Sequence, residues 1–188
     1  MDAKQKAGMD FEAYTAIHRQ VNPLAVSLSN RFEIVARDPE GSIIFRDFIE
    51  NLVVSVGLDN ILSEYLKGAA YTAAFYMGLM SASPTVSDGD VMDSHTGWVE
   101  VVAYSEAVRQ TVTWGAVAAQ KVSNAGSPCV FTINANSTNM GGAFIVTVDT
   151  KDDSTGYLYG AGSFAAGNKE LDQDDTISVV VTATAAAS

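Results

Sequence analysis

The chain has 188 residues, is 47% hydrophobic and carries a formal net charge of −11. A domain of that length buries roughly two-thirds of its unfolded surface, so folding requires neither a disulfide nor a metal. Such an acidic balance repels a phosphate backbone and argues against a broad nucleic-acid face. No apolar stretch reaches the roughly 18 residues that span a bilayer, so no membrane partner is expected.

The single cysteine, Cys129, cannot form an internal disulfide and sits beside Val130 and Phe131. A buried, inert thiol is the expectation there. The first six residues lead into a polar segment without the apolar core of a secretory signal, so synthesis in the cytoplasm is expected.

Residues 1–30 read as an N-terminal arm and residues 31–188 as a β-rich structural domain. Within the arm, Asp10 is positioned to cap a short helix whose Phe11, Tyr14 and Ile17 form a narrow apolar stripe. Pro23 ends it, because the residue before proline is pushed out of the helical region. A helix this short needs a partner surface, and we expect the arm to find it on a neighbouring subunit.

From Arg31 the pattern becomes that of strands. Phe32, Ile34 and Ala36 alternate with Arg31, Glu33, Val35 and Arg37, as in a half-buried strand. Asp38-Pro-Glu-Gly41 favours a type I turn, and residues 42–49 return as the second strand of a hairpin. Leu58, Ile61, Leu62, Tyr65 and Leu66 then fall at helical spacing and predict one helix over 55–67 with that face buried. Ser55 or Asn51 supplies the expected cap, and Lys67-Gly68 the expected stop.

Residues 71–80 predict a core strand and 81–97, with Pro84 and several aspartates, a long polar loop. Further strands are expected over 98–104, 111–114, 127–134, 142–148, 156–160 and 176–184. The last is partly apolar on both faces, as in a central strand or one between subunits. Short strands at this spacing predict a mainly β fold: an antiparallel β-sandwich or barrel-like domain with one principal α-helix.

Candidates for chemistry are few. His18 lies on a solvated face of the arm, and His95 sits among Asp93, Ser94 and Thr96. Members of a Ser-His-Asp constellation are rarely consecutive in sequence, so a hydrogen-bonded loop histidine is the better reading. Asp88, Asp90 and Asp93 place carboxylates close together, but the spacing misses the calcium-loop pattern and its closing glutamate. Asp152-Asp153 and Asp172, Asp174 and Asp175 read as turn residues bonding their own backbone. Gly141-Gly142 and Gly160-Ala-Gly162 have no helix behind them to form a phosphate cradle, and read as turns or bulges. We therefore expect no catalytic residues, no cofactor site and no metal site.

Several segments carry a resemblance. Asn51-Leu-Val-Val-Ser-Val-Gly57, Leu58-Asp-Asn-Ile-Leu62 and the run from Tyr71 to Leu79 are similar to a family of small tailed-bacteriophage virion structural proteins. So are the runs from Asp93 to Glu100, from Tyr104 to Glu106 with Arg109, from Phe131 to Asn134, from Gly141 to Phe144 and from Gly167 to Ser178. The resemblance implies a structural subunit of the particle, a capsid decoration (cement) or tail-associated protein with no enzymatic role. It implies a virion location, other virion proteins as partners (the major capsid protein or tail proteins), and a homo-oligomer. A tail or fibre-base component and a receptor- or carbohydrate-binding module are the alternatives.

Overall fold

The computed structural model describes residues 26–66 and 74–187. In chain order these residues form β1 (Val26–Arg37), β2 (Ile43–Val53), α1 (Ser55–Ile61), β3 (Tyr76–Met80), β4 (Glu100–Val101), β5 (Gln110–Thr111), β6 (Lys121–Ser123), β7 (Cys129–Thr132), β8 (Thr138–Met140), β9 (Gly142–Val146), β10 (Leu158–Ser163), β11 (Lys169–Leu171) and β12 (Thr176–Ala187). The fold is mainly β, and the pairings are antiparallel.

The hairpin lies where the alternation and the turn place it. Phe32, Ile34 and Ala36 are fully buried, while Arg31, Glu33 and Arg37 are exposed. Gly41, at φ +87°, donates its N–H to the Asp38 carbonyl at 2.9 Å, and the Asp38 carboxylate accepts the Ser42 N–H at 2.7 Å. β12 pairs with β1 along its whole length, so β1 starts at Val26, paired with Ala187, and not at Arg31. Residues 1–25, including His18 and the expected arm helix, lie outside the described residues, as do Lys67, Gly68 and 71–73.

The final strand is central, one of the two positions that its partly apolar faces predict. On its far side β12 pairs first with β7, over Thr176–Val179, then with β6, over Thr182–Thr184. Asn124 fills the break between them. Its Oδ1 accepts the Val181 N–H at 2.7 Å, its own N–H donates to the Val181 carbonyl, and its Nδ2 donates to the Val179 carbonyl.

β1, β2, β12, β6 and β7 make the first sheet. The second runs β4-β3-β9-β10, with β5 also on β3, and joins the first where Leu52 and Val53 of β2 pair with β10. The two sheets enclose one core. Phe32, Ile34, Ile49, Phe131, Ile177 and Val179 of the first sheet pack with Met77, Leu79, Ala143 and Ile145 of the second. β9 is buried on both faces, because Phe144 and Val146 point the other way, into a second cluster with Met92, Trp98, Val54 and Leu158. The long loop over 81–99 and α1 thus cover the side of the second sheet that faces away from the main core.

Of the glycines expected in turns or bulges, Gly141 lies at the break between β8 and β9, while Gly142, Gly160 and Gly162 sit in β9 and β10. β10 is irregular against β9 between Leu158 and Gly160, and a Cβ on Gly142 would lie 2.2 Å from the Gly162 carbonyl oxygen. The short strands β6, β8 and β11 carry too few residues for alternation to reveal them in the sequence.

The helix corrects the sequence expectation. It is regular only over Ser55–Ile61 and continues over Leu62–Leu66 as a π-helical turn. Leu58 and Leu62, expected in the core, are 39% and 53% exposed, whereas Gly57 and Asn60 are buried. Neither Ser55 nor Asn51 stands at the N-cap position. Val54 occupies the N-cap position, and Ser55 bonds instead to Asp88, through Oγ to the carboxylate at 3.2 Å and through N–H to the carbonyl at 3.0 Å.

The reason is distance. α1 lies so close to β10 that a Cβ on Gly57 would sit 2.6 Å from the Tyr159 carbonyl oxygen. Only the glycine side of the helix fits there, so the leucine stripe turns outward. Gly57→Ala should therefore lower stability by about 1–3 kcal/mol through overpacking. Leu62→Ala, at an exposed site, should change it by no more than about 0.5 kcal/mol. Thermal melting of the two variants checks the contrast.

Candidate functional site

A guanidinium with no exposed surface stands at the end of the second sheet. Arg109 is 0% exposed, and its Nε and Nη2 donate to the two oxygens of Glu100 at 2.9 and 2.7 Å. Its remaining donors reach the carbonyls of Val148 at 2.9 Å and Asp153 at 3.0 Å. Glu100 also accepts the Asp152 N–H at 2.9 Å. Such a bidentate pair, with each guanidinium nitrogen and both carboxylate oxygens hydrogen-bonded, is the geometry in which a buried ion pair is tolerated.

Around it the other charges hold loops. Both oxygens of Glu106 accept the Thr132 N–H at 3.1 Å. The Lys151 ammonium donates to the Tyr104 carbonyl at 2.8 Å and lies 3.7 Å from the centre of that ring. Burial lowers the Lys151 pKa, against the pull of Glu106 and Glu100. Burial, reinforced by Glu100, pushes the Tyr104 phenol above its usual range, and its hydroxyl has no partner among the described residues. These groups brace one another.

A hollow of about 130 Å³ nearby is lined by residues that include His95, Trp98, Glu100, Asp152 and Asp153. His95 stacks on the Trp98 indole, centroids 3.7 Å apart and planes 14° from parallel, with Nδ1 3.2 Å from the Trp98 carbonyl oxygen. No hydrogen bond joins His95 to Asp93 or Ser94 among the described residues. The indole N–H donates to Asp90 at 3.0 Å, and Asp90 also accepts the Ser87 N–H. Asp88 serves Ser55, while Asp93 points to solvent. The acidic residues of the loop are thus spent separately, and among the described residues no three acidic, histidine or cysteine side chains gather as a metal would require.

Asp153 and Asp175 behave as turn residues, whereas Asp172, expected to bond its own turn, reaches the distant Ser137. Asp153 accepts the Thr155 N–H at 2.6 Å, and the Thr155 hydroxyl and N–H hold its carboxyl below the usual range. Asp172 accepts from Ser137 N–H, and Asp175 from Asp172 N–H.

Cys129 is 2% exposed, and burial pushes its thiol up to about 12, against the Asn124 amide 3.5 Å away. A thiol so poorly ionised is a weak nucleophile.

The sequence reading assigned no role to Arg109, Glu100 or Asn124. Arg109 and Glu100 occur within the segments that carry the resemblance, but nothing in their local spacing marks them as a pair. Comparison with protein-family models, with curated proteins and with solved structures found no match. No helix among the described residues is long and apolar enough to cross a membrane.

Two outcomes are expected. Arg109→Met strands the Glu100 carboxylate in the interior and should cost about 3–5 kcal/mol, read by denaturant unfolding. Cys129 should resist a thiol reagent at pH 8 in the native protein and react once denaturant is added; rapid native labelling would contradict its enclosure.

Proposed function

We propose that this chain is a non-enzymatic structural subunit of a tailed-bacteriophage virion, a capsid decoration or cement protein that stabilises the head by protein–protein contacts. One observation carries the reading. The polar groups with chemical potential are consumed in bracing loops, while large apolar side chains ride on the outside: Val117 is 76% and Val99 65% exposed. Exposed Ile43, Ile44, Phe48 and Val130 add to that surface. Such a distribution suits docking by area, and specific interfaces typically need ~1,600 Å² in total, which a subunit touching several neighbours reaches piecemeal.

The resemblance in the segments from Asn51 to Ser178 supports the phage particle as the setting, with synthesis in the host cytoplasm and other virion proteins as partners. A tail or fibre-base position is the second reading within the same class. A carbohydrate-binding module is less favoured, because Trp98 is buried and Trp114 is engaged edge-on by Phe75.

The deciding measurement is the ratio of this protein to the major capsid protein in purified particles. A decoration subunit should be present in numbers comparable to the capsid protein, and a tail component in few copies. Absence from particles would remove the proposal. His95→Ala should leave incorporation unchanged; a hydrolytic activity abolished by that substitution would contradict the non-enzymatic reading.

A further inference from the structure

The charges of this chain are segregated. On the first sheet, residues alternating with core-facing Phe32, Ile34 and Ala36 point to solvent. That open face carries Arg31, Arg37, Arg46 and Lys121 against Glu33 and Glu50. Basic charge thus prevails there, on a chain of net charge −11. A hollow of about 270 Å³ lies in the face, lined by Arg31, Glu33, Phe48, Lys121, Val180 and Thr182 among others. Arg31 spans it, 4.2 Å above the Phe48 ring and 3.6 Å from Glu50. Arg46 and Lys121 have no side-chain hydrogen bond or ion pair to a described residue.

The opposite side has the opposite sign. The loop over 81–99 contains no lysine or arginine, and neither does α1. Asp88 and Asp93 of the loop, Asp59 of α1 and the adjacent Asp152 are all exposed. Because Met92 and Trp98 pack on Phe144, which faces away from the main core, these aspartates lie across the core from the basic face.

We propose that the open face of the first sheet docks on the acidic loop side of a second copy of this chain, head to tail. Charge complementarity selects this occupant. Pairing the face with itself sets Arg46 and Lys121 of two copies together, and pairing the loop side with itself sets aspartate against aspartate. The head-to-tail arrangement joins the face of net basic charge to the side of net acidic charge, and such a heterologous contact propagates from copy to copy. Glu33 and Glu50 among the cations disfavour a phosphate backbone on the same face.

The contact is small. The strands β2, β1 and β12, of 11, 12 and 12 residues, with β6 and β7 of 3 and 4, present ~670 Å² at ~3.3 Å per residue and ~4.8 Å between strands. A total of ~1,300 Å² stands near the lower edge of specific interfaces, so association is weak and salt-sensitive until copies are held side by side. This deepens the assembly role proposed above by naming a partner and rests on it. Its test in solution is separate from particle stoichiometry, so either can fail alone.

The test uses the purified full chain in sedimentation velocity across protein and salt concentration. We expect mass to rise with concentration at low salt and to return to monomer at high salt. Arg46→Glu should weaken association by about tenfold or more, Lys121→Glu likewise, and so should the pair Asp59→Lys with Asp93→Lys. All these positions are exposed, and unchanged melting temperatures establish that the variants fold. Mixing Arg46→Glu chains with the double lysine variant should restore association, because the acidic side of one and the basic face of the other remain intact. A chain that stays monomeric throughout, association indifferent to Arg46→Glu and Lys121→Glu, or a mixture that stays apart would each overturn the proposal. So would a monomer that binds duplex DNA or polyglutamate through this face.

Discussion

A buried guanidinium must be neutralised where it stands, and in this protein that requirement organises one end of the molecule. Arg109 draws together Glu100 of β4, the chain leaving β9 at Val148 and the turn at Asp153, while its own N–H donates to the Asp149 carbonyl at 2.7 Å. β4 and β5 are two residues each, and so short a ladder holds little by itself. The ion pair supplies the directional contacts that the missing rungs would have made. Removing one partner is costly because the other charge remains in the interior, whereas in the intact pair both Glu100 oxygens and every guanidinium nitrogen are hydrogen-bonded.

The second constraint is the double burial of β9. A strand whose every residue is enclosed requires cover on two sides. The first sheet provides one side, and the other is provided by irregular chain, the loop over 81–99. That loop is held by polar contacts: the Trp98 indole on Asp90, Ser55 on Asp88, and the backbone bond from Thr85 N–H to the Gly97 carbonyl at 2.8 Å. Its aspartates therefore brace the cover over Phe144, and the exposed ones leave an acidic outer skin. The first sheet has no such cover among the described residues. Its outer face is left with arginines, a phenylalanine and β-branched residues, the composition of a surface that another protein can meet.

Reading the sequence by alternation worked where one face of a strand meets the core and the other meets water. β1 is the clear case, and the Asp38–Gly41 turn follows from proline and glycine chemistry alone. The partly apolar faces of β12 fitted a central or an intersubunit strand, and its pairing with β1 on one edge and with β7 and β6 on the other makes it central. Legibility ended where contacts between distant segments decide the outcome. The leucine stripe of α1 has the period of a buried face, yet the approach of the Tyr159 backbone leaves room only for Gly57. Period reports that a helix has two faces; it does not say which one the neighbouring sheet can admit. β6, β8 and β11 are too short to show a period at all.

The candidate site divides along the same line. Composition and spacing were enough to give a mainly β chain, an enclosed Cys129 and the turn roles of Asp153 and Asp175, because each depends on residues close in sequence, whereas the bond from Ser137 to Asp172 does not. The Arg109–Glu100 pair, the Asn124 bridge across the β6–β7 break and the segregation of basic and acidic faces depend on which strands lie side by side. Arg31, Arg46 and Lys121 are distant in the chain and share a surface only through the register of β1, β2, β12 and β6. That register is set by burying Phe32, Ile34 and Val179 together, a long-range packing choice that local sequence does not encode.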